Sequence, residues 1–373
     1  SNMSNDIQAM RLIYDVIKTS RDNEKNLTDE EIEILLNRMI VDESIRKNFD
    51  RFQKGYAAED LFQRIFSLLP WVKLIVPLGQ EQFPNISKEM YQVHDYEVTF
   101  EAGDKDTLRN LLIEVKLIDG DKQTFELPKY KYAVLKEYSD VKRVPLLIAI
   151  FWKKNHIWTI NSIEAFSEKS SCFKISFENA YLNDLSAIFG DYTYIFPSTW
   201  YRKSQYINAD CKNEEYPYSH EIYGKTIYDS LSTDNVQYTK INFLQAAVLD
   251  SAFDFKEISH EQIDEKTTLI ESSCNSPLVY KLSSLLISFF TKIYCYDNND
   301  MYCKNNQVIP HAFNIVDSVR QLSGGERFYL MPHQKGDITT SLISLQFGRA
   351  NHIYNIYENS DREPNYLLLA SHK

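Results

Sequence analysis

Glu59, Asp95, Glu114 and Lys116 are the residues of this chain whose types and spacing suit chemistry. Carboxylates gathered at one point bind hard divalent cations through oxygen, and an ammonium beside them offsets the charge of a phosphate. Three acids and a lysine delivered to one place would therefore suit a divalent metal ion and a phosphate diester. Glu114 and Lys116 are separated by Val115 alone. In an extended strand alternate side chains share a face, so the pair points one way, about 6.6 Å apart along the chain.

The elements that must position them follow from the neighbouring pattern. Six of the eight residues from Leu111 to Ile118 are Leu, Ile or Val, the composition of a strand buried on both faces. A charged pair there needs a partner or a metal. The run 91–100 predicts a preceding strand carrying Asp95, and the polar residues 101–106 a hairpin turn that would bring Asp95 near Glu114. Gly55 opens a helix whose apolar stripe is Ala58, Phe62, Ile65, Phe66 and Leu69, with Glu59 at its border. Pro128 suits the first turn of a second helix, with Leu127, Tyr130, Val134 and Tyr138 as its apolar face, Lys131 inside that face, and Lys129, Tyr132 and Lys136 on a separate stripe. A buried strand over 144–152, a turn at 153–155 and a returning strand at 156–160 complete an order of helix, three strands, helix and two strands.

That order with these residues resembles the PD-(D/E)xK nuclease superfamily, the restriction-endonuclease-like fold, over roughly residues 50 to 160. The resemblance implies an α/β core with a mixed central sheet flanked by helices. Asp95 stands for the motif aspartate, Glu114 and Lys116 for the (D/E)xK pair, and Glu59 for the first-helix glutamate of the resolvase and exonuclease branches. His94 stands where the motif has proline. Mg²⁺ or Mn²⁺ would be held by Asp95, Glu114, the backbone carbonyl of Val115 and Glu59, with Lys116 orienting water and offsetting phosphate charge. Lys129, Lys131 and Tyr132 are the candidate substrate contacts, Lys131 or Lys129 filling the variable helix position. The implied activity is Mg-dependent hydrolysis of DNA in repair, recombination or defence against foreign DNA, with RNA left open.

Plainer readings stand beside these. The Glu-Val-Lys triplet is weak alone in a chain with 52 acidic residues, and Asp254-Phe255-Lys256 also fits it. Glu114 and Lys116 could be an edge-strand ion pair, Glu59 a solvated helix residue, and Lys131 a lysine whose stem covers apolar surface. The alternative function is a catalytically inactive nuclease-like scaffold that binds a partner protein or nucleic acid. A net charge of −11 argues against a simple nucleic-acid binder. Between Lys122 and Lys154, however, eight basic residues face three acids. Five cysteines without a CxxC pair fit a reducing cytoplasm, and no apolar run is long enough to span a bilayer. Leu322 to Glu326 resembles an ATPase signature but lacks a P-loop upstream. The expected organisation is a helical N-terminal element over 3–50, a nuclease-like domain over 51–207 and a C-terminal α+β domain over 208–373, with a homodimer or protein partner left open.

Overall fold

The computed structural model describes residues 2–101, 108–195, 199–209, 215–216, 219–275 and 279–290, with short pieces beyond. The expected turn at 101–106 falls largely outside the described residues. The chain opens with three helices: α1 (Asn2–Asp22), α2 (Asp29–Met39) and α3 (Glu43–Lys47). A capping box of Thr28 and Glu31 starts α2, and Asp42 caps α3, each satisfying amide donors that a helix start leaves unpaired. Met10, Ile13, Ile17, Ile40, Ile45 and Phe49 bury one another between these helices. Phe49 begins α4 (Phe49–Phe66), so the helical element is continuous with the helix that carries Glu59.

A five-stranded sheet follows, in the order β1 (Val72–Pro77), β2 (Tyr96–Glu101), β3 (Leu108–Ile118), β5 (Leu146–Trp152), β6 (Ile157–Asn161). It is mixed: β3 and β5 are parallel and the other pairs antiparallel. The parallel step needs a crossover, supplied by β4 (Thr124–Pro128) and α5 (Lys129–Lys142). On one face of the sheet Phe62 and Phe66 of α4 stack 4.4 Å apart, and both meet Trp158 edge-on at 5.7 Å. On the other face Ile148, Ile150 and Trp152 pack with Leu127 and with Ile175 of β8 (Cys172–Ser176), which pairs with β4 and with β7 (Ser167–Glu168). This is a mixed α/β unit.

Three local expectations change. Residues 91–94 are not strand, because β2 begins at Tyr96. Glu126 to Pro128 belong to β4, and Pro128, with φ −57°, sits ahead of the helix rather than inside it. The register of α5 also differs: its buried residues are Leu135 and Ser139, whereas Tyr130 is 70% exposed. Tyr132 packs edge-on to Phe173 at 5.1 Å, which draws its ring toward the β4–β8 side.

The main change of compact unit falls between Gly190 and Asp191. The second unit holds a sheet in the order β11 (Ser219–His220), β12 (Gly224–Ser232), β10 (Trp200–Ile207), β15 (Thr267–Cys274), β14 (Lys256–Gln262), with β13 (Thr239–Lys240) beside β12. A smaller strand β9 (Thr193–Ile195) pairs with β16 (Val279–Lys281). The unit also holds helices α6 (Phe243–Ala252) and α7 (Leu282–Phe289). Trp200–Ile207, expected to end the nuclease-like domain, is instead the middle strand of this sheet, hydrogen-bonded on both edges. Much of the polar stretch from 208 to 220, at the start of the expected C-terminal domain, lies outside the described residues. No helix among the described residues is long and apolar enough to cross a membrane.

Candidate active site

The site grows from a mismatch in strand length. β3 runs on past the point where β2 begins, Tyr96 pairing with Ile113, so Val115 has no strand neighbour on that edge. The Asp95 side chain takes the vacant place: the Val115 amide donates to Asp95 Oδ2 at 2.7 Å. Glu114 and Lys116 lie beside Ile148 and Ile150 of β5 and share their face. The Lys116 ammonium donates to Glu114 Oε1 at 2.8 Å. The Tyr96 hydroxyl donates to the backbone carbonyl of Glu59 at 2.8 Å, fixing α4 against the start of β2. His94 is buried, with Nε2 2.9 Å from the carbonyl oxygen of Leu135, and so ties the segment before Asp95 to α5.

The charges are strongly coupled. Burial, reinforced by Glu114 and Glu59, pushes the Asp95 carboxyl well above the usual range, against the pull of Lys116 and the Val115 amide. Burial also raises Glu59, to about 6, although Arg11 and a side-chain hydrogen bond with Asp95 pull it down. Burial works to lower Lys116, but Glu114, Asp95 and Glu59 outweigh it and hold the ammonium above its ordinary range. Near neutrality the arrangement is a protonated lysine among carboxyl groups that resist ionising together. Glu114 is 4% exposed, and its Oε2 has no hydrogen-bond partner, a costly state for a buried carboxylate oxygen.

No family model matches the chain. No curated protein is significantly similar to it either. Among solved structures, part of the chain is similar to Hjc, a Holliday junction resolvase from the archaeal hyperthermophile Archaeoglobus fulgidus. The likeness covers 37% of this chain and 96% of Hjc, at 16% identity and a TM-score of 0.27.

The donor set suits a hard cation in kind: carboxylate oxygens, one of them buried and unpartnered. Among the described residues no group of three or more His, Cys, Asp or Glu side chains is arranged to hold an ion. The side chains explain this. Asp95 Oδ2 accepts from Val115, Glu114 Oε1 from Lys116, and Glu59 Oε2 from the Arg11 guanidinium at 2.7 Å. Two carboxylates, Asp95 and Glu114, with the main chain of Val115 are what the fold offers at β3, and Glu59 is turned toward Arg11.

The helix residues divide. Lys129 donates to Glu168 at 2.8 Å and sits over the Phe173 ring, while Tyr132 packs on the same phenylalanine. Neither joins the cluster. Lys131 is exposed and makes no hydrogen bond or ion pair with the cluster, but it feels the cluster's charges: burial lowers its ammonium, Lys116 and Arg51 lower it further, and Glu114 opposes them. Two basic residues escaped the sequence reading. Arg11 comes from α1, 48 residues before Glu59, and no pattern links the two. Arg51 precedes Glu59 by eight residues on one helix, a two-turn spacing that places both on the same side and could have found it.

Proposed function

We propose that the first unit is a metal-dependent nuclease hydrolysing DNA phosphodiester bonds, in repair, recombination or defence against foreign DNA. The observation that carries this reading is the buried Glu114 oxygen without a partner, beside Asp95 and the charged Lys116. A fold keeps such a group at a cost, and perturbed carboxyl groups clustered with a lysine mark a site that does chemistry. Asp95, Glu114 and the carbonyl of Val115 would hold Mg²⁺ or Mn²⁺, with Glu59 reaching it once released from Arg11. The cation would supply positive charge against the phosphate and make water a better nucleophile. Lys116 stays protonated at working pH, so its remaining N–H groups donate to a phosphoryl oxygen or orient the water. The Val115 amide fixes the Asp95 carboxyl so that its orientation costs nothing during reaction. Glu59, with a pKa of about 6, changes the charge of the site near neutrality.

The test is cleavage of linear, supercoiled, single-stranded and branched DNA, and of RNA, with Mg²⁺ or Mn²⁺. Metal-dependent cutting lost in both Asp95→Ala and Lys116→Ala supports the reading, and the preferred substrate names its class. A chain that neither cuts nor binds metal would be the inactive scaffold.

A further inference from the structure

One side of α4 carries more than Glu59. Arg51, Gly55 and Glu59 follow one another at four-residue intervals, so they lie along the same side of the helix. Lys131 of α5 lies within electrostatic reach of both the Arg51 guanidinium and the Lys116 ammonium, which press on its charge. Both Arg51 and Lys131 are exposed, and neither makes an ion pair or hydrogen bond among the described residues. Their neighbours behave otherwise: Lys54 and Lys153 pair with Asp119, Lys129 with Glu168, and Lys136 with Asp140. Unpaired cations held near one another beside a carboxylate cluster are arranged for an anion that arrives from outside.

Gly55 supplies an independent observation. It sits inside an 18-residue helix, where glycine costs stability relative to alanine. A Cβ placed on it would meet nothing within 4 Å, so no neighbouring side chain or backbone requires its absence. Its φ is not in the left-handed region, so conformation does not require glycine either. What remains is the open space itself, on the line between Arg51 and Glu59.

We propose that Arg51, Gly55 and Lys131 form a track that leads a nucleic-acid backbone to the Glu59–Asp95–Glu114 cluster. Arg51 and Lys131 straddle the phosphate next to the one cleaved, and Gly55 lets the sugar–phosphate chain lie against α4. The guanidinium can offer two parallel N–H donors to phosphate oxygens, whereas Lys131 acts as a point charge. The inference rests on the nuclease reading for its direction toward the cluster, but binding can be measured apart from cutting.

The experiment is fluorescence anisotropy of a labelled DNA duplex in EDTA at several salt concentrations, using the full chain and Arg51→Gln, Lys131→Gln, Gly55→Ala and Gly55→Val, with melting temperature recorded for each. Arg51→Gln and Lys131→Gln should each weaken binding and reduce the slope of log affinity against log salt by about one. Gly55→Ala should melt higher than wild type yet bind DNA less tightly, and Gly55→Val should bind more weakly still. A merely structural glycine would not separate stability from affinity in this way. An unchanged salt slope in both charge variants, Gly55→Ala binding as well as wild type, or absence of duplex binding by wild type overturns the track. If Lys116→Ala abolishes cutting while Arg51→Gln and Lys131→Gln both leave the slope unchanged, the track fails and the nuclease reading stands. Altered slopes in a chain that never cuts give the reverse.

Discussion

Each compact unit buries a cluster of charge, and the two are resolved differently. In the second unit Arg202, 6% exposed, sends its fork to Asp229 at 2.6 and 3.0 Å and a further N–H to Asp250 at 2.6 Å. Ser204 completes Asp229 at 2.9 Å. Burial would lower the Arg202 guanidinium, but Asp250 and Asp229 together hold it well above its ordinary range. In the first unit three carboxyl groups crowd one partly buried lysine, one oxygen lacks a partner, and two of the acids are pushed upward. A satisfied network fixes one strand against its neighbours, while an unsatisfied one holds free energy that a ligand can release. On the nuclease reading the contrast separates a charge kept for the fold from charges kept for chemistry.

The largest effect expected from breaking the comparison is on the satisfied side. Arg202→Met should cost about 3–5 kcal/mol in chemical denaturation, since it strands a buried Asp229. Lys116→Ala should instead lower metal-dependent cleavage by about 10³-fold. Its cost to stability is softened because Asp95 can take up a proton. Metal sharpens the difference next: at about a hundred times its dissociation constant, Mn²⁺ should stabilise wild type by about 2.7 kcal/mol in thermal melts. Asp95→Asn should lose that gain, and Arg202→Lys, if folded, should keep it.

The smallest effect concerns pH. Glu59 rises from 4.5 to about 6 on folding, so the folded chain holds the extra proton. The stabilisation is complete below the unfolded value and is lost as pH rises through the folded one. Glu59→Gln should therefore melt above wild type at pH 7.5, by at most about 2 kcal/mol, with the advantage fading as pH falls below about 5. Asp95→Asn should show the same sign and a larger size. An advantage independent of pH would mean that repulsion among the acids does not govern the cluster.

Much of the site is legible in the sequence because it is local or strand-borne. The apolar run around Glu114 and Lys116 announces a buried strand, and period-two alternation gives their common face. Asp95 is legible through its neighbouring strand, although its position one residue outside β2 is not. Arg11 is illegible, since helix docking across 48 residues leaves no periodic trace. The register of α5 misleads because Tyr and Lys alternate in it, and both types carry apolar stems to either side of a helix. The boundary near Asp191 is hidden because aromatic residues run straight through it, with Phe189 before it and Tyr192, Tyr194 and Phe196 after it, so composition does not change there.

The parallel pairing of β3 with β5 carries a consequence for how the protein is made. Val115 lies beside Ala149 and Lys116 beside Ile150, so the strand bearing the pair has an open edge until residues 146–152 have been synthesised. Contacts this far apart in sequence form late, after the loop between them has closed. A growing chain on the ribosome would carry every acid of the cluster before it could assemble the scaffold that points them at one place. On the nuclease reading the centre therefore comes into being only with a folded domain, and fragments ending short of β5 should not cleave nucleic acid.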